Sequence, residues 1–273
     1  MTLRRKVLLI FLFAFVVFSG VIGVEIFLSN KLSQNRLFDA VLTGQNSTWS
    51  KVREATYERM LFYAYDAKPG KPSIWRLRGR RSPVQAVQSG NPKKVRRAIF
   101  PLFEHLEKDN ILDLMWVFDS SDKPLLIARN DNPNQVSKTN PDNTSVVSES
   151  ILEVVTNTRN SKTAQKQFVE DNGNIYATIS FPIFANARVA GTVVYGRIIN
   201  PLVQDLAINT KSEVFVFHSK SGFIFGTKPI LSRLAENRFR TDDYALLDSG
   251  ENVFLANSLR FPIRTENIQL IFM

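Results

Sequence analysis

The hydrophobic pattern begins with an uncharged run over residues 7–24, and after Glu25 three more apolar residues extend it. About 20 apolar residues in a helix span a hydrocarbon layer of roughly 30 Å, so residues 7–28 are predicted to form a transmembrane helix. Glu25 lies where the helix leaves the membrane, so its carboxylate reaches the interface. A cleaved signal peptide is the alternative, but this run is longer than the usual apolar core of such a peptide.

The charges that flank this run predict its orientation. Three basic residues precede it and two follow it: Arg4, Arg5, Lys6, Lys31 and Arg36. Basic residues favour the cytoplasmic side, so residues 1–6 are expected in the cytoplasm. Residues 29–273 are expected in the periplasm, with the chain anchored in a bacterial inner membrane. The chain has no cysteine, which excludes disulfide and thiolate chemistry.

Two helices are predicted beyond the membrane segment. No proline interrupts residues 31–66, and apolar side chains recur there at helical spacing. This stretch is therefore predicted to be a long helix that continues directly from the membrane, ended by the Pro- and Gly-containing residues 68–72. A second helix is predicted to begin at Asn91, a capping residue followed by Pro92 at the first helical position.

From about residue 112 the pattern changes from helical spacing to strands. The first group of strands is predicted at residues 112–119, 124–128, 168–169, 175–184 and 189–199, and the second at 213–217, 223–226, 253–261 and 268–272. Asn172-Gly173 is a strong signal for a hairpin turn. Short helices are predicted from Ser148 and from Asn200. This order predicts an α+β fold with a PAS-like antiparallel sheet and a second, smaller copy that ends before its closing strand.

Four stretches of the chain resemble the double Cache family, the extracytoplasmic sensors of bacterial chemoreceptors, histidine kinases and diguanylate cyclases. They are the anchor that runs into a long helix, residues 114–123 with their Ser-Ser-Asp-Lys turn, residues 179–197, and the hairpin at 214–226. Residues 179–197 resemble the family's P-I-φ and G-x-φ-x-G-φ-φ-φ-G strand pair, where φ is apolar. The amino-acid binders of the family carry an Arg-x-Trp-aromatic element, and its absence from this sequence argues against an amino-acid ligand.

The resemblance implies a domain organisation. Residues 29–199 are expected to hold the long helix and a membrane-distal Cache-like sensor domain. Residues 200–273 are expected to hold a linking helix and an incomplete membrane-proximal domain. Receptors of this family continue through a second span to an output domain, which is expected beyond residue 273.

A ligand pocket is expected on the sheet face opposite the long helix. The candidate ligand-binding residues are Trp116, Arg129, Tyr176, Thr178, Ser180, Tyr195 and Arg197. An arginine can hold a carboxylate through two parallel hydrogen bonds while aromatic rings line the cavity. The expected ligand is a small molecule, for which an anionic group is one option. For each residue the alternative is a role in the core or at the surface.

The net charge of +10 is concentrated in one stretch. Between Asp66 and Glu104 there is no acidic residue, while ten lysines and arginines lie there. One interpretation is a solvated face near anionic lipid headgroups. Another is an anion-binding rim formed by Trp75, Arg76, Arg78 and Arg81. These residues could also stack on the bases and contact the phosphates of a nucleic acid. No nucleic acid is expected outside the cytoplasm.

The sequence contains little material for catalysis. His105 and His218 are the two histidines, and each is interpreted as structural rather than as part of a triad or zinc site. Ser120 and Lys123 have S-x-x-K spacing, but they lie in a hairpin turn without the partner motifs of that chemistry. No catalytic residue, metal or cofactor is expected. The predicted function is small-molecule sensing by a homodimeric membrane receptor that transmits binding through its N-terminal helix. The alternative is a non-signalling adhesion or scaffold domain that binds polyanions through residues 68–97.

Overall fold

A computed structural model describes residues 3–65, 82–130, 147–219, 222–236, 245–248, 253–263 and 266–273. The predicted helix-ending turn at residues 68–72 and the proposed rim from Trp75 to Arg81 lie outside these residues. So does a polar loop predicted at residues 130–145, apart from its first residue.

The N-terminal region is a single helix, α1 (Leu3–Tyr65), of 63 residues. The predicted continuation of the anchor into a long helix is thus confirmed. Among the described residues, α1 is the one helix long and apolar enough to cross a membrane. Its apolar side chains there, such as Phe15, Phe18 and Phe27, are exposed. The chain divides into two compact units, Met1–Ser47 and Thr48–Met273.

The first antiparallel sheet has five strands in the spatial order β2-β1-β5-β4-β3. Their bounds are β1 (Leu114–Asp119), β2 (Pro124–Arg129), β3 (Gln165–Asp171), β4 (Asn174–Ala185) and β5 (Arg188–Ile198). Asn172 and Gly173 connect β3 to β4 with φ angles of 52° and 75°, the backbone that a primed two-residue turn requires. The hairpin predicted from Asn-Gly is therefore confirmed.

Helices cover both faces of the first sheet. On one face, called here the α1 face, lie residues 48–65 of α1 together with α2 (Pro83–Gln88) and α3 (Pro92–Lys108). On the other, called the α4 face, lies α4 (Glu149–Ser161). The side chain of Asn91 accepts hydrogen bonds from the amides of Lys93 and Lys94 at 3.0 and 3.3 Å, so the predicted cap of α3 is confirmed. The sequence analysis did not predict α2.

After the first sheet, α5 (Ile199–Thr210) leads into a second sheet with the strand order β7-β6-β10-β9-β8. Its elements are β6 (Val214–His218), β7 (Gly222–Gly226), a 3-10 turn (Pro229–Leu231), α6 (Ser232–Glu236), β8 (Ala245–Asp248), β9 (Val253–Ile263) and β10 (Glu266–Phe272). β10 lies between β6 and β9, the place that β5 takes in the first sheet. The expectation of a missing closing strand was therefore wrong. The sequence pattern did not predict β8, so it gave four strands for this sheet instead of five.

One apolar cluster joins the two sheets. It includes Tyr57 on α1, Phe103 on α3, Ile179 on β4, Leu202 on α5 and Leu270 on β10. A second cluster lies between α4 and the first sheet, and a third lies beneath α6 on the outer face of the second sheet. Burial of apolar surface thus fixes both faces of the first sheet, which carries the candidate site.

Candidate functional site

The α4 face of the first sheet is built around Trp116. This residue is fully buried in β1, where its Cα partners are Ile127 on β2 and Val194 on β5. Its indole stacks on Phe118 with ring centroids 5.7 Å apart. Among the described residues no acceptor lies within hydrogen-bond distance of its Nε1 atom. A buried N–H group without an acceptor costs free energy. A ligand that supplied an acceptor to this atom would therefore be bound more tightly.

An arginine–aspartate pair lies beside Trp116. Arg129 Nη2 is 2.6 Å from Asp171 Oδ2, and the two side chains are 7% and 1% exposed. The guanidinium of Arg129 also lies over the Trp116 ring, with its Cζ atom 5.0 Å from the centroid. The pair therefore presents both charges in an almost dry environment next to an aromatic plane.

The two members of this pair come from the opposite edge strands of the sheet, β2 and β3. Arg129 lies in the same cross-strand row as Gln167, and Asp171 is four residues further along β3. The β3–β4 hairpin extends past the ends of β1 and β2, and Asp171 lies in this extension next to the turn. The length of this hairpin therefore positions the carboxylate.

The polar side chains of β4 on this face are used inside the protein. The hydroxyl of Ser180 is hydrogen-bonded to that of Thr158 on α4. The hydroxyl of Thr178 donates to the carbonyl of Gln167 at 3.0 Å. Tyr176 is buried in the apolar cluster under α4. These three predicted site residues lie on the same face as Trp116 and Arg129, but two of their hydroxyls already have partners.

Contacts at both ends hold α4 against the sheet. Near its N-terminus, Ser150 donates to the carbonyl of Glu170 at 2.7 Å. In its second half, Arg159 forms a 2.7 Å ion pair with Asp122 in the β1–β2 turn, and Thr156 donates to the same carboxylate at 3.1 Å. The cover of the α4 face is thus fixed to β3 and to the β1–β2 turn.

The other two predicted site residues lie on the α1 face. Tyr195 is buried there, edge-on to Phe181 at 5.0 Å between centroids. Arg197 forms a 3.0 Å ion pair with Asp113. The structure therefore does not bring Arg197 to Arg129, and the expectation that these two arginines face one ligand is corrected. In strands that are buried on both faces, apolar and polar residues do not alternate regularly, so the sequence does not show which face a side chain is on.

Asp113 supports the start of the linking helix. Its second carboxylate oxygen accepts a hydrogen bond from the amide of Ile198, the residue that precedes α5, at 2.9 Å. Burial raises the pKa of Asp113, against the opposing effects of the Arg197 charge and the Ile198 hydrogen bond. This pair is therefore a structural connection between the first sheet and α5.

Two carboxylates of these ion pairs were not predicted from the sequence as site residues: Asp171 at the end of β3 and Asp113 just before β1. A sequence signal for Asp171 exists, because an acidic residue directly before Asn-Gly lies at the end of a strand. Its arginine partner was not predictable, since that residue lies on the opposite edge of the sheet.

An open groove of about 670 Å³ lies at the other end of the first sheet. Its lining includes Gln88 at the end of α2, Asp119 at the end of β1, Asn186 in the β4–β5 turn and Arg188 at the start of β5. None of the predicted site residues that the structure describes lines this groove. Of the basic stretch, Lys93, Lys94 and Arg97 on α3 are exposed.

No family model and no curated protein sequence matches this chain. Several solved structures are similar to it. A domain of a sensory box/GGDEF family protein from Vibrio parahaemolyticus has 12% identity and a TM-score of 0.50, covering 85% of this chain and 92% of its own. The sensor domain of the V. cholerae histidine kinase DctB has 10% identity and a TM-score of 0.47, with coverages of 84% and 94%.

The sensory domain of the Campylobacter jejuni chemoreceptor Tlp3 is also similar, with 10% identity, a TM-score of 0.44 and coverages of 87% and 95%. At identities this low the likeness concerns the fold alone. Of these three structures, the V. parahaemolyticus domain has a TM-score of 0.50 and the other two have lower values, so the comparison of folds rests on that domain. The predicted α+β fold with a PAS-like antiparallel sheet is confirmed.

Proposed function

We propose that this chain is the extracytoplasmic ligand-sensing region of a bacterial membrane receptor, and that the ligand binds on the α4 face of the first sheet. The observation that carries the proposal is the buried Arg129–Asp171 pair beside the Trp116 indole. Ligand sites in proteins are mostly apolar with a few convergent polar groups. Here Arg129, Asp171 and Trp116 converge within the apolar cluster under α4.

The chemistry of these three groups restricts the ligand. Arg129 and the Trp116 Nε1 atom are donors, whereas the carboxylate of Asp171 is an acceptor. A purely anionic ligand that displaced Asp171 from Arg129 would leave a buried carboxylate without a counter-charge, which is strongly unfavourable. A small molecule that carries an acceptor or anionic group together with a donor or cationic group satisfies all three residues.

A route from this site to the N-terminal helix runs through β3. Asp171 ends β3, and Phe168 of the same strand stacks on Trp49 of α1 with centroids 5.9 Å apart. Lys166, also on β3, forms an ion pair with Glu54 of α1. A ligand that binds one position of β3 more tightly than another shifts α1 by its differential affinity. The orientation, with residues 29–273 in the periplasm, and the homodimer are parts of the same proposal.

The test uses the full chain in detergent micelles. Thermal-shift screening would compare the proteinogenic amino acids, short mono- and dicarboxylates and heparin, followed by calorimetric titration of any compound that stabilises the protein. We expect Asp171→Asn and Trp116→Phe each to weaken binding about ten- to a hundredfold. Arg197→Gln is the matched control, because it alters an arginine–aspartate pair on the opposite face of the sheet.

Two outcomes would reject this proposal. One is a compound whose affinity is unchanged by Asp171→Asn and Trp116→Phe but reduced by Arg197→Gln. The other is stabilisation by heparin alone, which would favour the scaffold function through the basic residues 68–97.

A further inference from the structure

His218 lies where the second sheet meets the first. It ends β6, and its side chain is 4% exposed. Its Nε2 atom is 3.5 Å from Oε2 of Glu170 on β3, whose side chain is 38% exposed. Few polar contacts that the structure describes connect the two sheets, and this one joins an acidic group to a group that changes charge near neutral pH.

Among the described residues, the other charged groups on the elements next to His218 are paired elsewhere, exposed or on the opposite face of their strand. Its neighbour β7 (Gly222–Gly226) contains no titratable side chain, and its partner on β10 is the apolar Ile268. On β3, Lys166 is paired with Glu54 of α1, and Asp171 is paired with Arg129 on the α4 face. Arg260 on β9 is exposed.

We propose that His218 and Glu170 form a proton-dependent contact between the two sheets. An imidazole is the side chain that ordinarily gains a charge between about pH 8 and pH 5. Once protonated, His218 donates a charge-assisted hydrogen bond to the Glu170 carboxylate. Without that proton a neutral ring lies beside the carboxylate, and the attraction is weaker. Proton uptake therefore tightens the contact of β6 with β3.

This contact places pH sensitivity next to the ligand site. Glu170 precedes Asp171 on β3, and the two side chains lie on opposite faces of the sheet. A stronger or weaker contact between the second sheet and β3 therefore acts on the strand that carries Asp171. The same strand packs against α1 through Phe168.

Hydrogen exchange of the full chain in micelles tests the inference. Exchange would be measured at about pH 5.5 and about pH 7.5, with labelling times scaled for the intrinsic effect of pH on amide exchange. We expect β6 and β3 to be about two- to fivefold more protected at the lower pH. His218→Gln and Glu170→Gln should each remove this difference.

The chain supplies a matched control, because its other histidine is exposed. His105 is 66% exposed and lies 3.5 Å from Asp109 on its own helix, so it pairs with a carboxylate without joining the two sheets. His105→Gln should keep the pH difference. Glu170→Gln is nearly isosteric and half-exposed, so it keeps the test valid if His218→Gln fails to fold. The inference is wrong if the wild type shows no difference, or if the difference persists in Glu170→Gln.

Discussion

The two faces of the first sheet each carry an arginine–aspartate pair, yet the pairs differ in what surrounds them. On the α1 face, Arg197 and Asp113 are 13% and 15% exposed, and Asp113 also accepts the Ile198 amide. On the α4 face, Arg129 and Asp171 are 7% and 1% exposed and lie against Trp116. The same pair of residue types therefore serves as a helix connection on one face and as a charged group in an apolar setting on the other.

The difference also concerns how each cover is attached. The α1 face is covered by three helices whose apolar side chains merge with the core that joins both sheets. Among the described residues, the α4 face is covered by α4, whose buried side chains form an apolar cluster with the sheet that is separate from that core. Polar contacts such as that of Arg159 with Asp122 fix its position.

The largest effect that separates the faces is expected from removing each arginine. Arg129→Ala removes the counter-charge that lies 2.6 Å from the buried Asp171 carboxylate, which should lower the free energy of unfolding by about 3–5 kcal/mol. Arg197→Ala leaves Asp113 more exposed and still hydrogen-bonded to Ile198, so the expected loss is about 1.5–2 kcal/mol. Denaturant unfolding of the full chain in micelles measures both values. Equal losses would show that the two pairs are equivalent.

A second comparison uses one glycine from each face. A Cβ atom on Gly191 would lie 2.2 Å from the carbonyl oxygen of Phe118 and 2.6 Å from Cγ1 of Val87 on α2. Because the Phe118 oxygen belongs to the backbone of the neighbouring strand, it cannot move aside easily. Gly191→Ala should therefore destabilise the protein by about 1–3 kcal/mol.

The glycine on the α4 face has more room. A Cβ atom on Gly196 would approach the Leu114 side chain at 3.1 Å, and a flexible side chain can shift by a few tenths of an ångström. Gly196→Ala should therefore cost less than about 1 kcal/mol. Thermal unfolding of both variants checks the order, and a larger loss for Gly196→Ala would contradict the close packing of α2 on the sheet.

Much of the fold was predictable because it depends on local signals. The apolar run fixed α1, the Asn91-Pro92 pair fixed the start of α3, and Asn172-Gly173 fixed the β3–β4 hairpin. By contrast, α2 and β8 are short elements of 6 and 4 residues. Elements of this length carry too few positions for a period to show, and both were missed.

The site was only partly predictable because strands buried on both faces lose their alternation. In β4 and β5 nearly every central residue is buried, so the sequence could not tell that Tyr195 and Arg197 face α1 rather than α4. The pairing of Arg129 with Asp171 depends on the extended hairpin of β3 and β4, which joins residues 42 positions apart in the chain. Sequence patterns identified the strands that carry the candidate residues, whereas the assignment of side chains to faces required the structure.

The smallest effect that separates the pairs is expected from pH. Burial raises the pKa of Asp113 above that of a free aspartate, which is about 3.9. Between these two values the folded state holds more protons than the unfolded state, so the contribution of Asp113 to stability decreases as pH rises. That contribution is fully present below the unfolded pKa and is lost as pH passes through the folded pKa.

Asp113→Asn keeps the shape of the side chain but removes its titration. The free energy of unfolding of the wild type, taken relative to that of Asp113→Asn, should therefore fall as pH is raised from about 3.5 to about 6. Unfolding curves of the two proteins at a series of pH values measure this difference. Arg197→Gln should enlarge the fall, because the Arg197 charge opposes the effect of burial on the pKa of Asp113. A difference that stays constant, or that rises with pH, would mean that the charge of Arg197 outweighs burial, and the α1-face pair would then be the more stabilising ion pair of the two.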